Sequence, residues 1–185
     1  MERGCQVAIT TSRLPSKKTL ELINDLVNSL PGCKKIARGK KSFAALLEEA
    51  TICGARHLAF MWDRRGMPSL LLFYSVTLKR WEPYFLKIGG VVTRRDFPIY
   101  ISRRPPAKSA VIIDEAGGEL GDIFVEIFQY PKVYSLEKVR GRFDTIILIK
   151  KGERYVVEIL GKDLGPRAST LKIREVAYRY DMPQL

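Results

Sequence analysis

A chain of 185 residues that is 46% hydrophobic can bury a substantial core, and a formal net charge of +12 turns its surface toward polyanions. The apolar content excludes a disordered basic tail, and the longest apolar run, Leu70–Val76, is far too short for a membrane helix. The charge is also uneven: residues 1–104 carry 19 basic and 8 acidic side chains, whereas residues 105–185 carry 13 and 12.

Met1-Glu2-Arg3-Gly4 leads directly into a β-type run, Val7-Ala8-Ile9, with no apolar leader, so a soluble, cytoplasmic protein is expected. Thr11-Ser12 ends that strand and is placed to cap the next element. From Lys17 to Leu30 the apolar residues Leu20, Ile23, Leu26, Val27 and Leu30 recur at three- and four-residue steps, which predicts an amphipathic helix stopped by Pro31-Gly32. Lys34–Ala37 reads as a short edge strand blunted by its lysines. Ser42 caps a second helix that buries Phe43, Leu46, Leu47 and Ala50 and ends at Gly54. His57–Met61 and Ser69–Val76 then form an antiparallel pair through the Arg64-Arg65-Gly66 turn. The opening third is thus β-α-β-α-β-β, an α/β pattern with helices packed on a sheet.

The middle is more broken. Tyr84–Lys87, Val91–Thr93 and Pro98–Ile101 are short strand candidates, separated at Gly89-Gly90 and at charged turns. Arg103-Arg104-Pro105-Pro106 is the best linker, because consecutive prolines forbid helix and favour extended backbone. It coincides with the change in charge, so a basic lobe (1–104) and a neutral lobe (105–185) are expected within one domain spanning 1–185. Beyond it come a strand at Val111–Ile113 and a helix at Leu120–Phe128 with Ile123, Phe124, Ile127 and Phe128 inward. Thr145–Lys150 and Arg154–Leu160 form a hairpin around Lys151-Gly152, and Thr170–Tyr178 closes the sheet.

Groups for catalysis are scarce. His57 is the single histidine and lies in an apolar strand without a nucleophile motif beside it, so a structural role is expected. Cys5, Cys33 and Cys53 are odd in number and widely spaced; they read as buried thiols, not as a disulfide or zinc site. Gly32 to Ser42 evokes a phosphate loop but fails on spacing, with Lys41 where a magnesium-binding hydroxyl belongs. Gly117, Gly118 and Gly121 have the wrong spacing for a dinucleotide fingerprint. Glu48-Glu49 and Asp114-Glu115 read as solvated surface. No metal, cofactor or enzymatic activity is expected.

Nucleic-acid binding fits better. Arg13, Lys17, Lys18, Lys34, Lys35, Arg38, Lys40 and Lys41 fall in loops or helix starts at one end of the N-terminal sheet, where helix N-termini add their own positive dipole ends. Positive charge this dense without counter-charge repels itself and is suited to phosphate. A second set, Arg94, Arg95, Arg103 and Arg104, is interleaved with Phe97 and Tyr100, which either stack on bases or simply belong to a half-buried strand. Few Asn and Gln beside many charged residues suggest a thermophile.

Val7-Ala8-Ile9-Thr10-Thr11-Ser12-Arg13-Leu14-Pro15-Ser16, then a helix, Leu30-Pro31 and Arg38-Gly39-Lys40, resembles the opening of the Brix-domain family of ribosome-biogenesis proteins. Glu158-Ile159-Leu160 through Leu164-Gly165-Pro166-Arg167 and the strand Leu171-Lys172-Ile173 resembles that family's closing motif, so the likeness brackets nearly the whole chain. The resemblance implies an α/β fold of two pseudo-repeated lobes, each a mixed sheet with packed helices similar to the anticodon-binding domain of class II aminoacyl-tRNA synthetases. It implies a non-catalytic, archaeal-type single domain of the small-subunit branch that binds ribosomal RNA precursor or small guide RNA, with ribosomal or assembly proteins as further partners and no membrane. Ser12, Arg13, Pro15, Ser16, Arg38, Gly39 and Lys40 match its N-terminal motif and are expected to contact RNA together with Lys17, Lys18, Lys34, Lys35 and Lys41. The rival reading is a protein-interaction scaffold with generic RNA affinity, docking through Tyr130, Tyr178 and Tyr180.

Overall fold

The computed structural model describes residues 4–99 and 101–179. Tyr100 and Tyr180 lie outside the described residues. The first strand, β1 (Val7–Thr11), is buried along its whole length, as a strand covered on both faces must be. Helix α1 (Lys17–Ser29) comes next, and its cap is Ser16 rather than Thr11-Ser12: the Ser16 hydroxyl accepts the Thr19 backbone N–H at 3.2 Å. Leu22, Ile23 and Leu26 form its buried face. Gly32 turns the chain with φ +82°, where an added Cβ would crowd the Gly4 carbonyl at 3.1 Å.

Strand β2 (Cys33–Lys35) is shorter than the sequence suggests, and α2 (Phe43–Ile52) is capped by Ser42 as expected. Strands β3 (His57–Arg64) and β4 (Met67–Ser75) form the predicted antiparallel pair, with Arg65 and Gly66 both left-handed in the turn. Tyr84–Lys87 and Val91–Thr93 merge into one long strand, β5 (Arg80–Val92). Gly89-Gly90 is therefore an irregularity within a strand, facing a register shift at Lys172/Ile173, and not a turn. The described part of Pro98–Ile101 is not a strand.

The rest comprises β6 (Ala110–Asp114), α3 (Glu119–Phe128), β7 (Lys132–Val133), β8 (Thr145–Lys151), β9 (Tyr155–Gly161) and β10 (Thr170–Tyr178). All ten strands form a single mixed sheet in the order β2-β1-β3-β4-β5-β10-β9-β8-β6-β7. Strand β10 does not close an edge; it pairs antiparallel with β5 in the middle. In each half two strands run parallel to the first, followed by two antiparallel steps toward the centre.

Alternation of side chains assigns the layers. Val7 and Ile9 of β1, Ile112 of β6 and Ile147 and Ile149 of β8 point into one core shared with α1 and α3. Ala8, Leu58 and Phe60 face α2 on the opposite side. In the second half that opposite face, carrying Val111, Ile113, Ile146 and Leu148, is covered by Leu136, Val139 and Phe143 from a non-helical segment. The halves interlock through polar contacts as well: Tyr130 Oη donates to the Pro31 carbonyl at 2.7 Å, Thr145 Oγ1 to the Ser29 carbonyl at 2.6 Å, and Tyr84 Oη to Glu126 at 2.8 Å. None of the described helices is long and apolar enough to cross a membrane.

Candidate nucleic-acid interface

The connection from β1 to β2 runs through α1 on one face of the sheet, and the connection from β2 to β3 runs through α2 on the other. The chain diverges where β1 ends, which opens a crevice at the carboxyl ends of parallel strands, the usual location of ligand sites in such sheets. Three segments meet there: residues 12–16 after β1, residues 36–42 after β2, and Trp62-Asp63 near the end of β3. The N-termini of α1 and α2 open onto the same rim and add partial positive charge.

The predicted residues divide by what they touch. Arg13, Lys17 and Lys40 are exposed, Arg38 is half-buried, and none of the four has an ion-pair partner among the described residues. Gly39 sits between Arg38 and Lys40 with φ +46° and open space around an added Cβ, so its value is the left-handed turn, not a close approach. Lys18 pairs with Asp96 at 3.1 Å and Lys41 with Glu49 at 2.5 Å. Thr93 N–H and Lys18 together hold the Asp96 carboxyl below its ordinary range. Pro15 lies at the rim, Ser12 is nearly buried, and Ser16 is engaged as the α1 cap. Lys34 and Lys35 pair in register with Ala8 and Ile9 on the edge strand; Lys35 borders a cavity with Thr11, Pro15, Arg38 and Gly39, and its Nζ donates to Asn24 at 3.0 Å.

Three rim residues escaped the sequence reading. Asp63 accepts the Ser16 backbone N–H on one carboxylate oxygen and the Thr19 hydroxyl on the other, tying β3 to the start of α1. Phe60 lies beneath Arg38, whose guanidinium carbon is 5.9 Å from the ring centroid, and Trp62 is next at 6.1 Å from Phe60. The Nε and Nη1 of Arg38 are buried and have no hydrogen-bond partner among the described residues. The only advance signal was the aromatic pair Phe60-x-Trp62, which an apolar strand absorbs without comment.

The second basic set is paired within the molecule. Arg94 Nε donates to buried Asp25 at 2.8 Å, Arg95 pairs with Glu21 at 2.9 Å, and Arg103 approaches Asp25 at 3.8 Å. Arg104 makes a two-pronged contact to Asp163 at 2.9 and 3.0 Å, which holds that carboxyl below its ordinary range. Phe97 is half-buried. These arginines fasten the segment after β5 to α1 and to the turn after β9, so most of their charge is met within the molecule, with Arg103 sharing Asp25 with Arg94.

His57 is buried and shares a 3.0 Å hydrogen bond with Glu82. Asp114 accepts the N–H groups of Ala116 and Gly117, shaping the turn into α3. Among the described residues no three His, Cys, Asp or Glu side chains gather to hold a metal ion. Burial pushes the Cys33 thiol up to about 12.

Comparison with known proteins points one way. The chain is 67% identical over 180 residues to a probable Brix domain-containing ribosomal biogenesis protein of Pyrobaculum aerophilum, covering 97% of this chain and 99% of that one. It is 28% identical over 131 residues, 69% of this chain and 44% of the other, to the bovine U3 small nucleolar ribonucleoprotein protein IMP4. The fold matches the crystal structure of a probable ribosomal biogenesis protein from Aeropyrum pernix, with TM-score 0.73 at 21% identity, covering 97% and 99% of the two chains. It also matches Mil, an archaeal Imp4-like protein, with TM-score 0.67 at 20% identity, covering 92% and 99%. No family model matches the chain.

Proposed function

The chain belongs to the family of Brix domain-containing ribosomal biogenesis proteins, and from that premise we propose that it binds RNA as a non-catalytic assembly factor through the basic rim of β1, β2 and β3. The observation that carries this reading is the division of its cations. Arg94, Arg95 and Arg104 each have a carboxylate partner in the same molecule, with Arg103 at the edge of the Asp25 pair, whereas Arg13, Lys17, Arg38 and Lys40 converge on one rim without such partners among the described residues. Phosphates of a folded RNA supply the missing counter-charge, and release of their counterions drives binding. Recognition depends on RNA shape more than sequence, because A-form helices hide their base edges. The likeness to a protein named for the U3 small nucleolar ribonucleoprotein favours small-subunit precursor RNA or a guide RNA as the target.

The two halves, 1–104 and 105–185, are read as pseudo-repeated lobes of one domain, each akin to the anticodon-binding domain of class II aminoacyl-tRNA synthetases. The shared order of strands about the β5–β10 seam supports the repeat. The scaffold reading loses one of its docking residues, Tyr130, which is only 2% exposed; Tyr178 is exposed, with its hydroxyl donating to Glu119 at 2.5 Å. Tyr180 lies outside the described residues.

The test is a salt titration of binding to small-subunit precursor RNA. Arg13→Ala/Arg38→Ala/Lys40→Ala should weaken binding and flatten the logarithmic salt slope by about 2–3 units, three contacts at roughly 0.7–0.9 each. Arg95→Ala, an exposed but paired arginine, should leave the slope unchanged. An unaltered slope in the triple variant would remove the rim from the RNA site and revive the scaffold reading.

A further inference from the structure

We propose that the cavity on the α2 side of the rim receives one unpaired nucleotide of the bound RNA, with its phosphate on Arg38 and Arg13 and its base against Trp62. This rests on the RNA-binding reading above and adds to it a preference for unpaired RNA. The cavity has a volume of about 450 Å³, and Arg13, Leu14, Arg38, Phe60, Trp62 and Asp63 contribute to its walls.

The argument begins with Arg38. Two of its nitrogens are shielded from solvent and lack an acceptor among the described residues. Donors of a charged group withdrawn from water without a partner are costly, and such groups are seldom left unsatisfied. The carboxylate in the same wall is no remedy, because both Asp63 oxygens are engaged by the first turn of α1. A rotation of this half-buried side chain brings those donors to an acceptor from outside the protein, and an oxyanion suits a guanidinium best.

The remaining wall is aromatic. Arg38 already covers the Phe60 ring, and Trp62 lies beside it at an interplanar angle of 31°, half-buried and facing the cavity. Leu14, 90% exposed, forms an apolar lip on the other side. A cation next to an accessible flat ring is the arrangement that holds an extruded base and its phosphate together. A paired base cannot enter, since its faces are already stacked in the duplex. An acidic peptide would meet the arginines but would leave the indole without a flat partner.

The test uses the full chain and two RNAs of equal length: a hairpin with a long unpaired loop and a fully paired duplex. In a Trp81→Phe background, where Trp62 is the sole indole, loop RNA should quench tryptophan fluorescence and the duplex should not. Trp62→Leu should weaken loop binding by roughly 5–10-fold or more, the size expected for one lost stacking contact. It should leave duplex affinity and the salt slope unchanged, and Trp62→Phe should fall between. Equal weakening on both RNAs, or absence of quenching by loop RNA, overturns the proposal. If both RNAs bind with a steep salt slope and Trp62→Leu changes neither, the nucleotide pocket falls and the RNA-binding reading survives. If the wild type binds neither RNA, both fall together.

Discussion

Arg94 and Arg13 are the same residue type in two basic clusters of one sequence, yet the structure gives them opposite fates. Arg94 is locked to Asp25, which also accepts Ser169 Oγ at 3.0 Å and is almost fully buried. Removing that buried carboxylate leaves the half-buried Arg94 guanidinium with only the Ile101 carbonyl, and Ser169 Oγ without its acceptor, so Asp25→Ala should cost about 3–5 kcal/mol in a denaturant titration. Arg95→Ala, which removes an exposed side chain paired only with half-buried Glu21, should stay within about 0.5 kcal/mol. The role of Asp25 has no local signal, because its partners lie 69 and 144 residues away. Cys33 gives a pH signature. Its thiol is raised from 9.0 to about 12 by burial, so between those values the unfolded chain loses a proton that the folded chain keeps. Stability should therefore fall as pH rises from about 9 toward 12, and Cys33→Ala should flatten that part of the melting curve against pH.

The three helices were legible because each carries a stripe of buried residues at helical spacing and, for α1 and α2, a serine at the start. Only the choice of capping serine for α1 was obscured. Thr11-Ser12 has the right chemistry, but the chain needs four more residues to turn from the sheet, so Ser16 takes the role. Ser16→Ala should destabilise by about 1 kcal/mol. Strands were harder where glycine intervened: Gly89-Gly90 carries turn chemistry, yet Gly89 is placed where its Cβ would meet Arg174 Cβ at 3.3 Å on β10. Strand β7, two residues long, has no period to detect. Gly118 at the start of α3 illustrates packing that no local pattern announces, because an added Cβ would meet the Tyr155 ring at 2.9 Å. Gly118→Ala should cost about 1–3 kcal/mol by overpacking, read from the shift in thermal unfolding.

The division by charge at residue 104 was visible in the sequence, but it does not divide the core. One hydrophobic cluster contains residues from β1, α1, β4 and β5 together with β6, α3, β8, β9 and β10. The basic half taken alone would expose that face and the β5 edge. A fragment of residues 1–104 should accordingly lack a cooperative melt, and the full chain should unfold in one transition seen alike by calorimetry and circular dichroism. Of the candidate interface, the basic loops could be read in advance, because charge is local. Trp62 and Asp63 could not, since they reach the rim only through the parallel pairing of β3 with β1.

The central position of β10 also bears on how the protein is made. A ribosome delivers β5 long before β10, so the emerging polypeptide carries an unpaired strand edge through the synthesis of everything between them. Its middle seam is sewn last. Stalled translation intermediates should stay protease-sensitive throughout until residues 170–178 clear the exit tunnel, and only then become resistant from end to end.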